Sequence, residues 1–217
     1  DVAKKLMDVS PTLIYNYPDI NMFTISPQNI INNKENGILY IGGISKIRGA
    51  FQMVKVLEFL NPIYNIHLHL IGPPTPENII DELKSLPGYN YVSVYGRLDI
   101  EDAIQYAQKM KIGLALLHPI PNYVFLPTKL FEYMIMGIPV IVSNVPLWRD
   151  IVEINHCGIA VDPYDLSQIA SAIEYLLSNP KEARKMGENG RRAVIENYNW
   201  ENEGKKLIRL YEELLNS

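Results

Sequence analysis

Cysteine is nearly absent from this chain of 217 residues: Cys157 is the only one, so no internal disulfide can form. Such a composition fits a reducing compartment, and we expect a cytoplasmic protein. Long apolar runs are absent as well, because the longest have the length of a strand, as in 112–117, and are too short to span a membrane. We find no secretory signal pattern, and a chain that begins at Asp1 is expected to be part of a longer protein.

Positive charge is also scarce. The chain has 20 Lys and Arg residues against 24 Asp and Glu residues, which gives a net charge of −4. No basic stripe or aromatic platform is visible, so nucleic acid is not an expected partner. No Cys/His/Asp cluster has the spacing of a metal site, and the alternating His67 and His69 are more typical of a structural role, so no metal is expected.

From residue 37 onward, short apolar segments alternate with amphipathic helical segments. Apolar segments without polar alternation, separated by helices, indicate a parallel sheet that is covered on both faces. We therefore predict an α/β protein with a Rossmann-like doubly wound sheet of about six strands, followed by C-terminal helices. The predicted strands are 37–41, 66–71, 91–95, 112–117, 138–142 and 158–161, and the predicted helices are 48–60, 77–86, 99–110, 127–137, 146–153, 165–177, 180–197 and 200–215.

The predicted domain organisation has three parts. Residues 1–36 are expected to form an interdomain segment, with a polar helix over 1–11, a short strand at 12–16 and several breaks rich in Pro and Asn. The Rossmann-like domain covers 37–197, and within it Asn61-Pro62 is expected to end the first helix. The last helix, in 198–217, carries Leu207, Leu210, Tyr211 and Leu214 on one side.

Glycines begin several of the loops that follow predicted strands, at positions 42, 43, 72 and 96. In an open parallel sheet, ligands bind beyond the carboxyl ends of the strands, at the point where the strand order reverses. Glycine in such a loop allows a ligand to approach the backbone closely, although turn formation alone explains Gly72 equally well. The first loop is not G-x-G-x-x-G, and no acidic residue follows the next strand, so a dinucleotide site is disfavoured.

Two cations are predicted to lie at helix N-termini on this same edge. Arg48 follows the Gly42-Gly43 turn, and Lys129 follows Pro127. A cation in the first turn of a helix opposes the macrodipole unless an anion is bound there. Together they indicate a shared anion of the size of a diphosphate. The alternatives are an exposed Arg48 and a local i,i+3 ion pair between Lys129 and Glu132.

Glu132 lies one helical turn beyond the predicted anion site. A carboxylate next to phosphate-binding amides is suited to binding the hydroxyl groups of a ribose, and the alternative is an exposed helix charge. Among the four histidines, His118 is the best placed to touch a ligand, because it stands at the end of a predicted strand.

Several segments, taken in order, resemble a known family. YIGG…RGAF, VYGRL and PTKLFEYMIMGIPVIVSN are similar to the C-terminal domain of GT-B-fold glycosyltransferases, especially family 4, also described as glycosyl transferases group 1. LIYNYPDINMF resembles their interdomain segment, and NYNWENEGKKLIRLYEELL resembles the closing helices, which usually cross back to the N-terminal domain. The resemblance covers nearly the whole chain, and FEYM-x-x-G-x-PV is its most specific part.

The resemblance implies a nucleotide-sugar-binding domain of a retaining transferase. The expected donor is UDP-linked, because UDP sugars are the most frequent donors in the family, and the transferase is expected to need no metal or other cofactor. It implies that Glu132 holds the ribose, and that Arg48 and Lys129 contact the diphosphate and stabilise the leaving group. The other donor contacts that it implies are the amides of Thr128, Lys129 and Leu130 for phosphate and the backbone of Arg97 and Leu98 for the base. The Gly42 and Gly43 turn, and His118 as a possible sugar contact, are added from their positions after predicted strands.

The chain departs from the family pattern in three respects. The first glutamate of the E-x7-E motif falls at Val124, a second basic residue falls at Gly43, and only one of two domains is present. We therefore expect an N-terminal acceptor-binding domain as the partner, an inactive chain in its absence, and membrane association only through that missing domain. Two alternatives are a nucleotide-sugar 2-epimerase of the same fold, for which His118 is the only acid/base candidate, and a non-catalytic binding domain.

Overall fold

The predicted parallel sheet is confirmed in the computed structural model, which describes residues 11–23, 35–121 and 125–216. Six strands pair in parallel in the order β3-β2-β1-β4-β5-β6. Such an order belongs to the Rossmann-like doubly wound fold. The strands are β1 (Gly37–Ile41), β2 (His67–Ile71), β3 (Val92–Gly96), β4 (Ile112–Ala115), β5 (Val140–Ser143) and β6 (Gly158–Val161).

Helices cover both faces of the sheet, as the apolar strands require. The described helices are α1 (Ala50–Tyr64), α2 (Ile79–Lys84), α3 (Ile100–Gln108), α4 (Thr128–Ile135), α5 (Pro146–Ile154), α6 (Leu166–Ser178), α7 (Pro180–Glu196) and α8 (Trp200–Leu215). Helices α1, α2 and α6 contribute to the buried cluster on one face, and α3, α4, α5 and α7 contribute to the cluster on the other. Short 3-10 turns lie at Ile20–Met22, Lys46–Arg48 and Pro87–Tyr91.

The strand order reverses between β1 and β4. From β1 the chain winds outward through β2 to β3, and it then returns to place β4 on the other side of β1, where Leu39 pairs with Gly113. The connections after β1 and β4 therefore leave in opposite directions, and a crevice opens between them at the carboxyl ends of these strands. The sequence predicted a ligand-binding site at such a point.

The first helix differs from the prediction at both ends. It begins at Ala50 rather than Arg48, because Gly49 has φ +73° and Arg48 belongs to the preceding 3-10 turn. The predicted stop at Asn61-Pro62 is wrong, since the helix continues to Tyr64. A proline so close to the end removes only one hydrogen bond, and Asn61 secures the last turn by donating to the Ile66 carbonyl over 2.6 Å.

Two predicted strands also need correction. The one predicted at 138–142 begins at Val140, because the Ile138 amide donates to the Tyr133 carbonyl and closes α4, and residue 139 is a proline. Residues 12–16 form no strand. Instead the Tyr15 amide donates to the buried Glu203 carboxylate of α8 over 2.9 Å, so this segment is bound by a helix rather than by a sheet. The other predicted elements are confirmed within a residue or two, and the helix predicted over 1–11 lies almost wholly outside the described residues.

Helix α8 is held to the start of the described chain. Its first amide, that of Trp200, donates to the Pro18 carbonyl over 2.9 Å, and the ring of Tyr17 packs against Phe131 and Tyr198. Several apolar side chains on α8 are exposed, among them Ile208, Tyr211 and Leu214. The domain limits at 1–36, 37–197 and 198–217 remain a prediction. None of the described helices combines the length and the apolar character needed to cross a membrane.

Candidate functional site

A cavity of about 300 Å³ opens at the carboxyl ends of β1 and β4, where the strand order reverses. Side chains from the loop after β1, the end of β4 and its loop, the start of α4 and helix α5 contribute to its wall. The lining residues are Ile41, Gly42, Arg48, Ala115, Leu116, Leu117, Pro127, Thr128, Lys129, Glu132 and Trp148. The structure therefore brings Gly42, Arg48, Thr128, Lys129 and Glu132 together, as the sequence predicted.

The glycine turn after β1 is fixed by the neighbouring loop after β2. The Gly42 amide donates to the Ile71 carbonyl over 2.8 Å. Gly72 has φ +138°, and a methyl group built on it would lie 2.2 Å from the Gly42 carbonyl oxygen. Gly72 is therefore required both for its backbone conformation and for the contact that places Gly42, so turn formation alone does not account for it.

Two cationic side chains converge on Gly42. A methyl group built on Gly42 would lie 2.6 Å from Lys129 Nζ and 3.4 Å from Arg48 Nη1, and one built on Gly43 would lie 3.3 Å from Arg48 Nη1. Glycine at both positions thus leaves the space that the cations occupy. Arg48 reaches the site from the 3-10 turn rather than from the first turn of α1, so the predicted conflict with that helix dipole is wrong. The residue is exposed, as the alternative had it, and its guanidinium nevertheless converges with Lys129 on Gly42.

Helix α4 presents its N-terminus to the same point. Pro127 is the N-cap and makes no side-chain cap, so the first turn lacks the acceptor that a Ser or Asp would supply there. Leu130 is buried, and its amide donates to the Pro127 carbonyl over 3.1 Å, so this amide is already used within the protein. The exposed Thr128 and the half-buried Lys129 remain as the first-turn candidates for phosphate.

Lys129 is the most perturbed group in the cavity. Burial, together with the adjacent Arg48 guanidinium, lowers the pKa of the Lys129 ammonium to about 7, and Glu132 opposes this shift only in part. Within the described ranges, no carboxylate lies inside the 4.0 Å ion-pair limit of Lys129, so the local pair with Glu132 is not formed. Burial also raises the pKa of the Glu132 carboxyl, against the effect of Lys129.

Tyr40 lies directly behind the two cations. It is fully buried, its ring centroid is 3.9 Å from Lys129 Nζ, and its hydroxyl donates to the Gly43 carbonyl over 2.9 Å. Burial raises the pKa of Tyr40 to about 12, although the adjacent Arg48 guanidinium acts in the opposite direction. Sequence reasoning did not single out this residue. The available signal was a hydroxyl-bearing aromatic residue in an apolar strand, two residues before the glycine turn.

Tyr133 fixes α4 against the sheet. Its hydroxyl accepts a hydrogen bond from the Ile41 amide over 2.7 Å, and its ring occupies the space that a side chain at Gly113 would need, since a methyl group there would lie 2.5 Å from Tyr133 Cδ2. The residue before it, Glu132, and the residue four before it, Lys129, are thereby set opposite the end of β1. Tyr133 is therefore a structural support of the cavity.

We expect the Tyr133→Phe substitution to lower the free energy of unfolding by about 1–3 kcal/mol, because it leaves the Ile41 amide without its partner inside the protein. Urea denaturation followed by circular dichroism measures this. Tyr175→Phe is the matched control, since Tyr175 lies on α6 and is 43% exposed, and it should change little. Equal losses in the two variants would show that the Tyr133 hydroxyl does not secure α4.

Trp148 of α5 is a further cavity residue that sequence reasoning missed. It is 2% exposed, it lines the cavity, and its indole Nε1 donates to the Phe125 carbonyl over 2.8 Å. This bond ties the loop that leads into α4 to the helix after β5. An isolated Trp in a short amphipathic helix that follows a strand was the only signal in the sequence.

Three predicted donor contacts lie away from this cavity. Arg97 and Leu98 follow β3, which lies two strands from β1, and they stand at the same edge of the sheet. Their contact with the base remains a prediction, and it requires a ligand long enough to reach them from the cavity. The His118 ring packs against Tyr164 at 4.4 Å between ring centroids, and burial lowers its pKa. His118 Nε2 is buried without a hydrogen-bond partner, and the residue does not line the cavity. Val124 lies outside the described residues.

Chemically, the cavity is equipped to bind an extended anion that carries hydroxyl groups. Arg48, Lys129 and the start of α4 supply positive charge, and the Glu132 carboxylate can accept hydrogen bonds from hydroxyl groups one helical turn away. Within the part of the chain that the structure describes, no group of three or more His, Cys, Asp or Glu residues could hold a metal ion.

Comparison with known proteins finds a family that matches most of the chain. The family described as glycosyl transferases group 1 matches residues 21–193. Among curated proteins, the capsular polysaccharide biosynthesis glycosyltransferase CapM of Staphylococcus aureus is 28% identical over 156 residues, which is 71% of this chain and 40% of CapM. The chain spans between 21% and 46% of the length of the curated relatives that it matches.

Solved structures show the same fold. Anabaena Alr3699/HepE, crystallised with UDP and glucose, superposes with a TM-score of 0.79 at 18% identity, over 93% of this chain and 57% of HepE. The C-terminal domain of the group 1 glycosyl transferase LpcC from Francisella tularensis gives a TM-score of 0.70 at 22% identity, over 84% of this chain and 98% of that domain. The sheet and helices of this chain thus match one half of a GT-B structure.

Proposed function

Because the chain belongs to the glycosyl transferases group 1 family, we propose that it is the donor-binding half of a retaining glycosyltransferase with a UDP-linked donor. The observation that carries this proposal is the convergence of Arg48 and Lys129 on Gly42, in a cavity also lined by Glu132. HepE, which shares the fold, was crystallised with UDP and glucose, and that supports a nucleotide sugar as the ligand.

In the proposed complex the donor diphosphate lies between Arg48, Lys129 and the first turn of α4, and the Glu132 carboxylate accepts hydrogen bonds from the ribose hydroxyls. During transfer the bond between the sugar anomeric carbon and the diphosphate oxygen breaks, a bond between that carbon and the acceptor hydroxyl oxygen forms, and the hydroxyl proton passes to the departing diphosphate. Negative charge then builds on the departing diphosphate. Cations and helix amides that already point at this position stabilise that charge, so the leaving group needs no metal ion in this proposal.

The acceptor side belongs to a second domain in this proposal. The chain covers less than half of CapM and 57% of HepE, so we propose that an N-terminal domain of the same protein binds a glycan, lipid-linked or other acceptor. On its own, this chain would bind donor without transferring sugar. The name of CapM supports polysaccharide biosynthesis as the setting. The 2-epimerase alternative receives less support, because its only acid/base candidate, His118, packs on Tyr164 outside the cavity.

The Arg48→Glu substitution tests the diphosphate assignment. We expect the affinity for UDP to fall about 30-fold or more, which corresponds to about 2 kcal/mol, because a cation facing the diphosphate becomes an anion. The affinity for uridine should change less than about twofold, since uridine carries no phosphate. Isothermal titration calorimetry on the full-length protein measures both ligands.

Arg192→Glu is the control for a change of net charge, because Arg192 is exposed on α7, far from the cavity in sequence and on a different helix. It should leave both affinities nearly unchanged. If Arg48→Glu weakens UDP and uridine by the same factor, Arg48 does not bind the diphosphate. If the unmodified protein binds no nucleoside diphosphate at all, the proposed function is wrong.

A further inference from the structure

Tyr40 is a buried residue that contacts both parts of the candidate diphosphate site. Its neighbours along β1, Leu39 and Ile41, are aliphatic, and its side chain is 0% exposed. The hydroxyl donates to the Gly43 carbonyl over 2.9 Å, while the ring centroid lies 3.9 Å from Lys129 Nζ. One side chain therefore connects the glycine turn with the cation that reaches it from α4.

The position of Lys129 is electrostatically unfavourable without such a neighbour. Arg48 places a second positive charge nearby, and Glu132 is the only described carboxylate whose charge acts appreciably on the ammonium, from beyond ion-pair distance. Tyr40, whose ring faces the ammonium, and Tyr133, which lies close to Tyr40, are both held neutral because burial raises their pKa. The negative face of an aromatic ring can stabilise a desolvated ammonium, so the Tyr40 ring is the group that keeps a charged Lys129 in this place.

We propose that Tyr40 is a positioning residue of the diphosphate site, which holds the Lys129 ammonium against Gly42 through its ring and fixes the Gly42-Gly43 turn through its hydroxyl. As far as the ligand is concerned, this inference rests on the proposed function. Tyr40 does not line the cavity, so it acts on the ligand only through Lys129 and the turn.

The two halves of the side chain have separable effects. Tyr40→Phe keeps the ring under Lys129 and loses the bond to the Gly43 carbonyl. Tyr40→Leu loses both, and it also removes volume from the core, so its effect on stability is measured first by thermal unfolding. If Tyr40→Leu does not fold, Tyr40→Phe still tests the role of the hydroxyl in fixing the turn.

The first measurement needs no ligand. Selective labelling of lysine allows NMR to follow the titration of the Lys129 ε-methylene in the free full-length protein, with a midpoint expected near pH 7. In Tyr40→Leu the midpoint should fall by about one pH unit, because the ammonium loses the ring while the neutral amine loses little. In Tyr40→Phe it should stay within about 0.3 of a pH unit. An unchanged midpoint in Tyr40→Leu, or a large fall in Tyr40→Phe, overturns the role of the ring.

The second measurement uses UDP, inorganic pyrophosphate and uridine in calorimetry at pH 6 and pH 8. Tyr40→Phe should weaken UDP and pyrophosphate about three- to tenfold and leave uridine unchanged, because only the phosphate-facing turn is loosened. Tyr40→Leu should weaken them further, and more at pH 8 than at pH 6. Equal losses for all three probes would indicate general damage and overturn the proposal. Absence of UDP binding to the unmodified protein would instead count against the proposed function, while the NMR titration still decides the role of the ring.

Discussion

The Lys129→Met substitution is expected to raise the stability of the protein while it removes most of the affinity for UDP. Burial and Arg48 lower the pKa of this ammonium from 10.5 to about 7, so the free protein holds its charge at a cost. Each pH unit by which the pKa falls corresponds to about 1.4 kcal/mol, and residual exposure of Lys129 to water reduces the gain on substitution to about 1–3 kcal/mol. Loss of the cation that faces the diphosphate in the proposed complex should weaken UDP about 100-fold.

The pH dependence follows from the direction of that shift. Between pH 7 and pH 10.5 the unfolded chain binds a proton at Lys129 that the folded protein has released, so this group makes the folded state relatively more stable as pH rises through that range. Below pH 7 both states carry the proton, and the full cost of the buried charge is present. Lys129→Met should therefore stabilise the protein most at pH 6 and progressively less toward pH 10.

Binding should show the opposite trend. A diphosphate needs the protonated ammonium, so UDP affinity of the unmodified protein should decline as pH rises above about 7, and Lys129→Met should abolish that decline. Thermal unfolding and calorimetry from pH 6 to pH 9 measure the two effects. Lys109→Met is a matched control, because Lys109 lies 5.7 Å from the Tyr106 ring and is exposed. A Lys129→Met protein that binds UDP normally, or that is strongly destabilised, would contradict the assignment.

The sequence was sufficient to predict the sheet because each strand is a continuous apolar segment, and a segment buried on both faces allows few other arrangements. It also predicted the cavity, because parallel strands place all their C-terminal loops on one edge. The end of α1 was predicted wrongly from Pro62, since the sequence alone did not show that the Asn61 side chain holds the last turn by bonding to Ile66. The tendency of proline to end a helix was outweighed there by a contact that forms only in the folded protein.

The parts of the site that were missed are those defined by distance rather than by spacing along the chain. Tyr40 and Lys129 are far apart in sequence, and nothing in either segment indicates that a ring and an ammonium meet at 3.9 Å. Trp148 is similar, because it lies in α5 whereas its partner Phe125 lies in the loop before α4. Gly72 was recognised as a turn residue, but its contact with the Gly42 carbonyl depends on how two neighbouring loops pack. Such residues follow from the fold and not from any motif.

Glu132 provides the most direct test of the proposed ribose contact in this cavity. Burial raises the pKa of its carboxyl despite the opposing effect of Lys129, so the charge on Glu132 is on balance unfavourable in the free protein. Since the folded pKa is raised, any contribution of this group to stability falls as pH rises above 4.5, its ordinary value. We therefore expect Glu132→Ala to fold with nearly unchanged stability and to bind UDP about 100-fold more weakly, through the loss of two charge-assisted hydrogen bonds.

An analogue identifies the lost bonds. UDP without its 2′ and 3′ ribose hydroxyls should bind the unmodified protein about 100-fold more weakly than UDP does, whereas Glu132→Ala should bind the two ligands alike. Glu182→Ala is the control, because Glu182 is exposed in the first turn of α7. It should prefer UDP over the analogue by the same factor as the unmodified protein does. If Glu132→Ala still prefers UDP over the analogue, the ribose is held elsewhere. If UDP affinity itself is unchanged, the nucleotide does not occupy the cavity between β1 and α4, and Arg48 and Lys129 must serve a different anion.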